Sequence, residues 1–252
     1  MFPTANSGFF NSKKLWTPLE IDVKVFLMAN DPANFVSTAG RIDLWLDSSP
    51  YGNDQDAPTT ATRPNIGTNE VLFNGSTKLQ SNFDVTELQG AEELTQFVIF
   101  KTNNTSKQQV INNRNSALNT RDLMIDGSTL SSQHRPASPI TTTISTGDYY
   151  ITSLDWALAS ATNRLWMDTV LTVTSAATAI NTLGTNYRIS LGAAPNSIVD
   201  PMNGAIRCYL AFDSILSTDN RQRVEGYLAH QFLMLANLPP AHPYKVFPPY
   251  RE

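Results

Sequence analysis

The stretch LSTDNRQRVEGYLAHQFLMLANLPPAHPYK, residues 216–245, decides the fold, because it is helical in pattern while most of what precedes it is not. Val224, Tyr227, Leu228 and Phe232 recur at i, i+3, i+4 and i+8, which makes one apolar stripe along a helix. Ser217 or Thr218 can cap its start, and Asp219 lies in the first turn, where the helix dipole favours an anion. Pro239 and Pro240 cannot continue a helix, so the pattern predicts one helix over about 217–237. Arg221, Arg223, Glu225 and His230 fall mostly off the stripe. A helix with one apolar face has to bury it, and a sheet edge or sandwich end is the natural place.

Outward from this helix the chain reads as strand. GAIRCYLAFD (204–213), YRISLGAA (187–194) and TQFVIFKTN (95–103) are short runs rich in β-branched and aromatic residues. In DYYITSLDWALAS (148–160), Tyr150, Leu154, Trp156 and Leu158 share a face at period two, with Asp148 and Asp155 at polar positions. NRLWMDTVLTVTS (163–175) reads as a hairpin turning near Asp168-Thr169, and EVLFNGSTKLQ (70–80) as one turning at Asn74-Gly75. IDVKVFLMA (21–29) and GRIDLWLD (40–47) are earlier strands, and residues 48–67 form a long polar loop. Between 103 and 147 only QQVINN, DLMID and PITTTIS stand out. No repeat of 20–50 residues appears, which excludes a solenoid or propeller. Many short strands with a turn about every ten residues predict a two-sheet antiparallel sandwich.

Composition agrees. The 252 residues suit a single β-sandwich with appendages, and only 16% are charged. A net charge of −4, with NSKK (11–14) as the nearest thing to a basic run, argues against nucleic acid. No apolar stretch is long enough to span a bilayer, and the first residues lack the basic and apolar regions of a signal peptide. The single cysteine, Cys208, excludes an intrachain disulfide and reads as a buried thiol.

MNGAIRCYLAFDSILSTDNRQRVEGYLAHQFLMLANLPPAHPYK (202–245) resembles the C-terminal segment of concanavalin A-like (laminin G-like) jelly-roll domains of phage virion and bacterial surface proteins. LWTPLEI (15–21), VFLMANDPANFVSTAGRIDLWLDSSPYGN (25–53) and RPNIGTNEVLFNGSTKLQ (63–80) are similar to that family's opening strands, in order, and the likeness weakens over 103–147. The resemblance implies an all-β, two-sheet jelly-roll sandwich with one C-terminal helix packed on it as a lid. Residues 1–20 then form an extended N-terminal arm and 21–252 the domain.

Candidate sites follow from chemistry. Jelly-roll glucanases use Glu-x-Asp-x-x-Glu on one strand; EIDVKV supplies Glu20 and Asp22 but Val25 in the third place, so no catalytic set is expected. His230 and His242 with Glu225 have poor spacing for a metal or acid–base cluster, and His242 is expected to pin the tail. His134 is expected to be exposed. No cofactor is expected; calcium, if any, would bind at the acidic loop residues Asp54 and Asp56. Trp166, out of phase with the apolar Leu165 and Met167, and Tyr51 in the long loop are the candidate sugar-stacking residues. Phe2, Phe9 and Phe10 lie upstream of the family-like stretch and are candidate anchors for a partner. These features give three function classes. The leading one is a non-enzymatic phage virion structural protein (capsid decoration, head fibre or tail fibre) on the particle surface. It would contact other virion subunits through the arm, as a homo-oligomer or part of a larger assembly, and could adhere to cell-surface glycans. A carbohydrate-binding lectin module is the second class and a polysaccharide hydrolase the third.

Overall fold

The computed structural model describes residues 14–81, 84–116, 119–134, 139–158, 162–176, 187–195 and 198–251. Within them the strands are β1 (Val25–Met28), β2 (Phe35–Thr38), β3 (Arg41–Trp45), β4 (Gln55–Asp56), β5 (Asn65–Gly67), β6 (Glu70–Asn74) and β7 (Leu79–Ser81). There follow β8 (Glu93–Thr102), β9 (Gln108–Ser116), β10 (Asn119–Asp126), β11 (Thr129–His134) and β12 (Ile140–Thr143). The last five are β13 (Tyr150–Ala157), β14 (Thr162–Met167), β15 (Val170–Ala176), β16 (Arg188–Leu191) and β17 (Asn203–Phe212), and one helix, α1 (Thr218–Gln231), completes the fold. The protein is all-β with a single C-terminal helix, and every strand pairing is antiparallel.

Two sheets carry the sandwich. In the first, β6 and β1 lie end to end along one side of β17, and β8, β13, β14 and β15 follow on the other side. The second runs β2–β3–β4–β7–β16–β9–β10–β11–β12. Short β5 bridges β3 and β6 at one corner. Between the sheets lies the main core, with Leu27, Val98, Phe100, Leu154, Trp156 and Tyr209 facing Trp45, Ile111, Leu123 and Leu191.

The first sheet is covered on its other face too. Phe26, Met28, Phe97, Ile99, Ile151, Cys208, Leu210 and Phe212 pack there against Val224, Leu228, Ala229 and Phe232 of the helical segment. TQFVIFKTN alternates in sequence as a half-buried strand would, but β8 is buried at consecutive positions, as are β1 and most of β17, because both faces of this sheet are covered. Leu228 is fully buried, and burial of such a side chain contributes about 1.5–3 kcal/mol. The helix therefore covers a sheet face rather than a sheet edge or sandwich end.

Local chemistry sets its ends. The Ser217 hydroxyl oxygen accepts from the Asn220 N–H at 3.2 Å, and Arg223 pairs with Asp219 at 2.9 Å. The prolines do not terminate it. Leu233 takes a left-handed conformation (φ 56°), and the Met234 N–H reaches back to the Ala229 carbonyl at 2.8 Å, the bond that closes a Schellman cap. The chain then makes a short 3-10 turn, Leu235–Asn237, before the prolines.

The tail buries a second face of the helix. A side chain at Gly226 would meet Tyr244 at 2.4 Å, so the tail crosses the helix directly there. The His230 ring bonds the Tyr244 carbonyl at 3.0 Å, and the Lys245 ammonium donates to the carbonyls of Leu235 and Leu238. Residues 14–20, part of the expected arm, also belong to the domain: Trp16 is 2% exposed and packs edge-on to Tyr227. The Trp16 N–H donates to Pro249 and the Arg251 N–H to Lys14.

Two readings of the strands change. Asn74-Gly75 is a turn, with Gly75 at φ 83°, but β6 and β7 do not pair; they belong to opposite sheets. The loop over 48–67 contains β4 and β5.

Candidate functional site

The residues that the sequence nominates do not converge. Trp166 is 7% exposed. It does face away from the core behind Leu165, as its phase implies, but that side is roofed by the helix, and the Arg221 guanidinium lies 4.8 Å from its ring centroid. It is no sugar platform. Tyr51 is 37% exposed, but Lys24 sits 4.7 Å over its ring and its hydroxyl donates to Asp22 at 2.6 Å. Asp54 accepts from the Asp47 N–H at 2.7 Å, whereas Asp56 lies in β4 with its pKa raised by burial; the two do not assemble a calcium site. Among the described residues no three His, Cys, Asp or Glu side chains are grouped to hold a metal.

Glu20 lies in a 3-10 turn, Pro18–Ile21, where strand alternation does not apply, and it pairs with Arg251 at 2.7 Å. Asp22 is taken by Lys24 at 2.6 Å, which holds its pKa below the usual carboxylate value together with the Tyr51 hydroxyl. Both carboxylates are thus engaged by a cation. Phe2, Phe9 and Phe10, and the His134 side chain, lie outside what the structure describes.

Beneath the N-terminal half of α1 is a buried polar cluster. Glu225, expected off the buried stripe, is 1% exposed because the tail covers it: it pairs with Arg221 and lies 3.3 Å from His242. That contact gives His242 its expected role of pinning the tail. Asp155, expected at a polar position, is 5% exposed. It accepts from the Thr95 hydroxyl at 3.0 Å and lies 3.7 Å from Arg164. Burial pushes its pKa up to about 6, against the pull of Thr95, Arg164 and Arg221. These groups are locked together by their mutual contacts, and Asp155 borders a narrow cleft. That cleft, beside Arg121 and Trp156, has a volume of about 20 Å³, room for roughly one water and no sugar.

A larger opening lies elsewhere, a surface pocket of about 380 Å³ on the helix side of the first sheet. That is within the range of small-ligand sites, about 300–1,000 Å³. Four separate segments build it: the start of β13, the β14–β15 turn, the middle of β17 and the segment after the helix. At the turn, Asp168 (φ 49°) and Thr169 (φ 68°) take the left-handed conformations of a tight hairpin, as the sequence predicts. The Asp168 carboxylate accepts from the Ile151 N–H at 3.0 Å and from the Asn237 amide at 2.9 Å; burial raises its pKa. Asn237 also donates to the Tyr149 carbonyl at 3.0 Å, so one amide ties the turn, β13 and the post-helix segment together.

Arg207 owes its place to a β-bulge. The pairing of β17 with β8 steps from Ile206↔Phe100 directly to Cys208↔Ile99, leaving Arg207 without an opposite residue. Ile206 faces the inter-sheet core and Cys208 the helix side, although alternation would put both on one face. The inserted residue resets the phase and aims Arg207 into the pocket, a recurrent use of bulges at binding sites. Its guanidinium carbon stacks 3.6 Å from the Tyr149 ring centroid, and the Lys101 ammonium lies 4.7 Å from the same centroid. Arg207 donates to the Phe232 carbonyl at a long 3.4 Å. Leu233 closes one wall and is 89% exposed, in a backbone conformation that disfavours any side chain.

Neither Arg207 nor Leu233 was singled out from the sequence. Arg207 did leave a signal, as the charge that interrupts the apolar run AIRCYLAF. Leu233 left none.

No protein-family model matches this chain, and no curated protein matches it. Solved structures do. The binding domain of botulinum neurotoxin serotype D is similar with a TM-score of 0.62 at 14% identity, over 81% of this chain and 51% of that one. The serotype D ligand-binding domain in complex with N-acetylneuraminic acid is similar at 0.60 and 14%, over 82% and 52%. The receptor-binding domain of the mosaic serotype C/D, with tetraethylene glycol on one sub-domain, is similar at 0.59 and 15%, over 82% and 51%. This chain thus spans about half the length of those domains. At such identities the likeness shows a fold: a β-sandwich of the jelly-roll kind, of which these binding domains are further examples.

Proposed function

We propose that this protein is a non-enzymatic glycan-binding jelly roll carried on the surface of a phage particle, and that the pocket beside Tyr149 and Arg207 is its binding site. The observation that carries the reading is the pocket itself. Four chain segments, cross-tied by Asn237, hold a stacked cation, an acidic turn and an exposed apolar wall around an opening of sugar size. Sugars need such a mix, with polar groups for hydroxyls beside apolar surface for C–H faces. The likeness to receptor-binding domains, one of them crystallised with N-acetylneuraminic acid, supports a binding role. The placement on a virion rests on the concanavalin A-like resemblance of residues 202–245, with residues 1–11 as the attachment to other subunits.

The test is a glycan array probed with the protein and with Leu233→Ala. This substitution removes an exposed wall of the pocket and little buried contact. Binding by the protein that falls in the variant is the expected result. An array on which no glycan is retained overturns the reading.

A further inference from the structure

We infer that the Arg207 pocket selects sugars bearing a carboxylate, which docks on the guanidinium while the hydroxyls of the same sugar face Asp148. This deepens the glycan-binding reading and rests on it. Its starting point is charge. Two cations, Arg207 and Lys101, lie against one tyrosine ring, and neither makes an ion pair within 4 Å among the described residues, although Glu70 attracts Arg207 from farther away. Of the acidic residues in the pocket, Asp168 is already engaged by Asn237 and the Ile151 N–H, and Asp148 is exposed at the rim.

Geometry then favours a planar acid. The guanidinium carbon sits 3.6 Å from the Tyr149 centroid, a contact that holds the group against the ring, and the bulge fixes its origin. A guanidinium held in this way presents its N–H groups as a ready-made fork for a carboxylate, with little rotamer freedom left to lose. Its Nε is buried and closed to a ligand, whereas NH1 has only the long contact to Phe232, so the two terminal nitrogens are left to present the fork. Asp148 and Asp168 argue against a bare inorganic anion, which they would repel. They suit a ligand that is anionic at one end and a hydroxyl donor at the other. A uronic or sialic acid has that form, and its apolar C–H face can rest on Leu233.

The experiment uses matched pairs: oligogalacturonate with its methyl ester, and the methyl glycoside of N-acetylneuraminic acid with its methyl ester. Each is titrated into the protein by NMR at low salt. At least one acid should bind about ten-fold or more tighter than its ester, the range expected for hydrogen bonds to a charged group. Arg207→Lys, which keeps the charge but not the planar fork, should bring that acid close to its ester and leave the ester unchanged. Acids and esters bound equally, or neutral glycans bound in preference, would overturn the inference while leaving glycan binding intact. No binding by any sugar, here or on the array, would remove both. The acid–ester comparison on the unaltered protein decides the matter even where Arg207→Lys fails to fold.

Discussion

Replacing Asp155 by asparagine is expected to stabilise this protein, and only above the pH at which the carboxyl ionises. The side chain is 5% exposed under α1, and its pKa stands at about 6 against an ordinary 3.8. Burial is the main cause, because it penalises the charged form; the Thr95 hydroxyl, Arg164 and Arg221 oppose it without cancelling it. The folded state therefore holds the proton more tightly than the unfolded chain. Well below pH 3.8 both states are protonated and the neutral acid is accommodated at no ionisation cost. As the pH rises through the interval from 3.8 to about 6, the folded state progressively loses stability relative to that baseline. Each tenfold change in proton affinity corresponds to about 1.4 kcal/mol, so the loss approaches about 3 kcal/mol at neutral pH. Asparagine has nearly the shape of the neutral acid and can still accept from Thr95. Urea unfolding followed by tryptophan fluorescence, at unit steps from pH 3 to pH 8, gives the difference between variant and parent. That difference should be smallest at pH 3, climb from pH 4 through pH 6 and level off above pH 7. A difference that is flat with pH, or that declines as pH rises, would refute the assignment of a buried, reluctantly ionised carboxyl.

Leu228→Ala should cost about 2–5 kcal/mol and lower the melting temperature by several degrees, since the residue is fully buried between helix and sheet; an unchanged melt would mean that the helix does not dock. Leu233→Gly should act in opposite directions on two readouts. Relief of the left-handed conformation should stabilise by about 0.5–1 kcal/mol, as glycine does at this cap position, while loss of the exposed wall weakens glycan binding. Thermal denaturation and the array together would expose a wrong assignment if both moved the same way. Deleting residues 1–11 should leave the melt near normal, because Leu15 and Trp16 keep their contacts with the tail, and should abolish incorporation into particles; full incorporation would return the segment to another role. Incubation with β-glucans, alginates and capsular polysaccharides should release no oligosaccharides, and catalytic release would contradict the non-enzymatic reading.

What was legible in the sequence was whatever one element alone determines. The stripe of Val224, Leu228 and Phe232 is a property of the helix by itself, as are the Ser217 cap and the Asp168-Thr169 turn, and all appear as read. Pairing across the sandwich is not such a property. Asn74-Gly75 turns the chain, but whether the next strand rejoins the same sheet depends on which neighbours are free: β17 and β5 flank β6, while β16 and β4 flank β7. Strand β11, TLSSQH, went unread because Leu130 is its one apolar residue and its place comes from β10 and β12.

The site was hidden for a related reason. The phase of Trp166 was read correctly, yet facing away from the inner core means solvent only in a two-layer protein, and here the helix and tail add a third layer. The same layer buries Glu225. Arg207 sits where alternation fails, so any periodic reading of β17 assigns its neighbours to a wrong face, and only the charge in an apolar run betrays the bulge. Leu233 carries no sequence mark because the left-handed position it occupies is ordinarily signalled by glycine.

The meeting of Lys14 with Arg251, and of Leu15 with Tyr250, has a consequence for engineering. The two ends of the described fold leave side by side, so joining them by a short linker would create no long span to close. New ends could then be opened at an exposed turn such as Thr68-Asn69 between β5 and β6, giving a circularly permuted chain with the same packing. By the same geometry the fold is a cassette, one that can be set into a surface loop of another protein with both junctions at a single point.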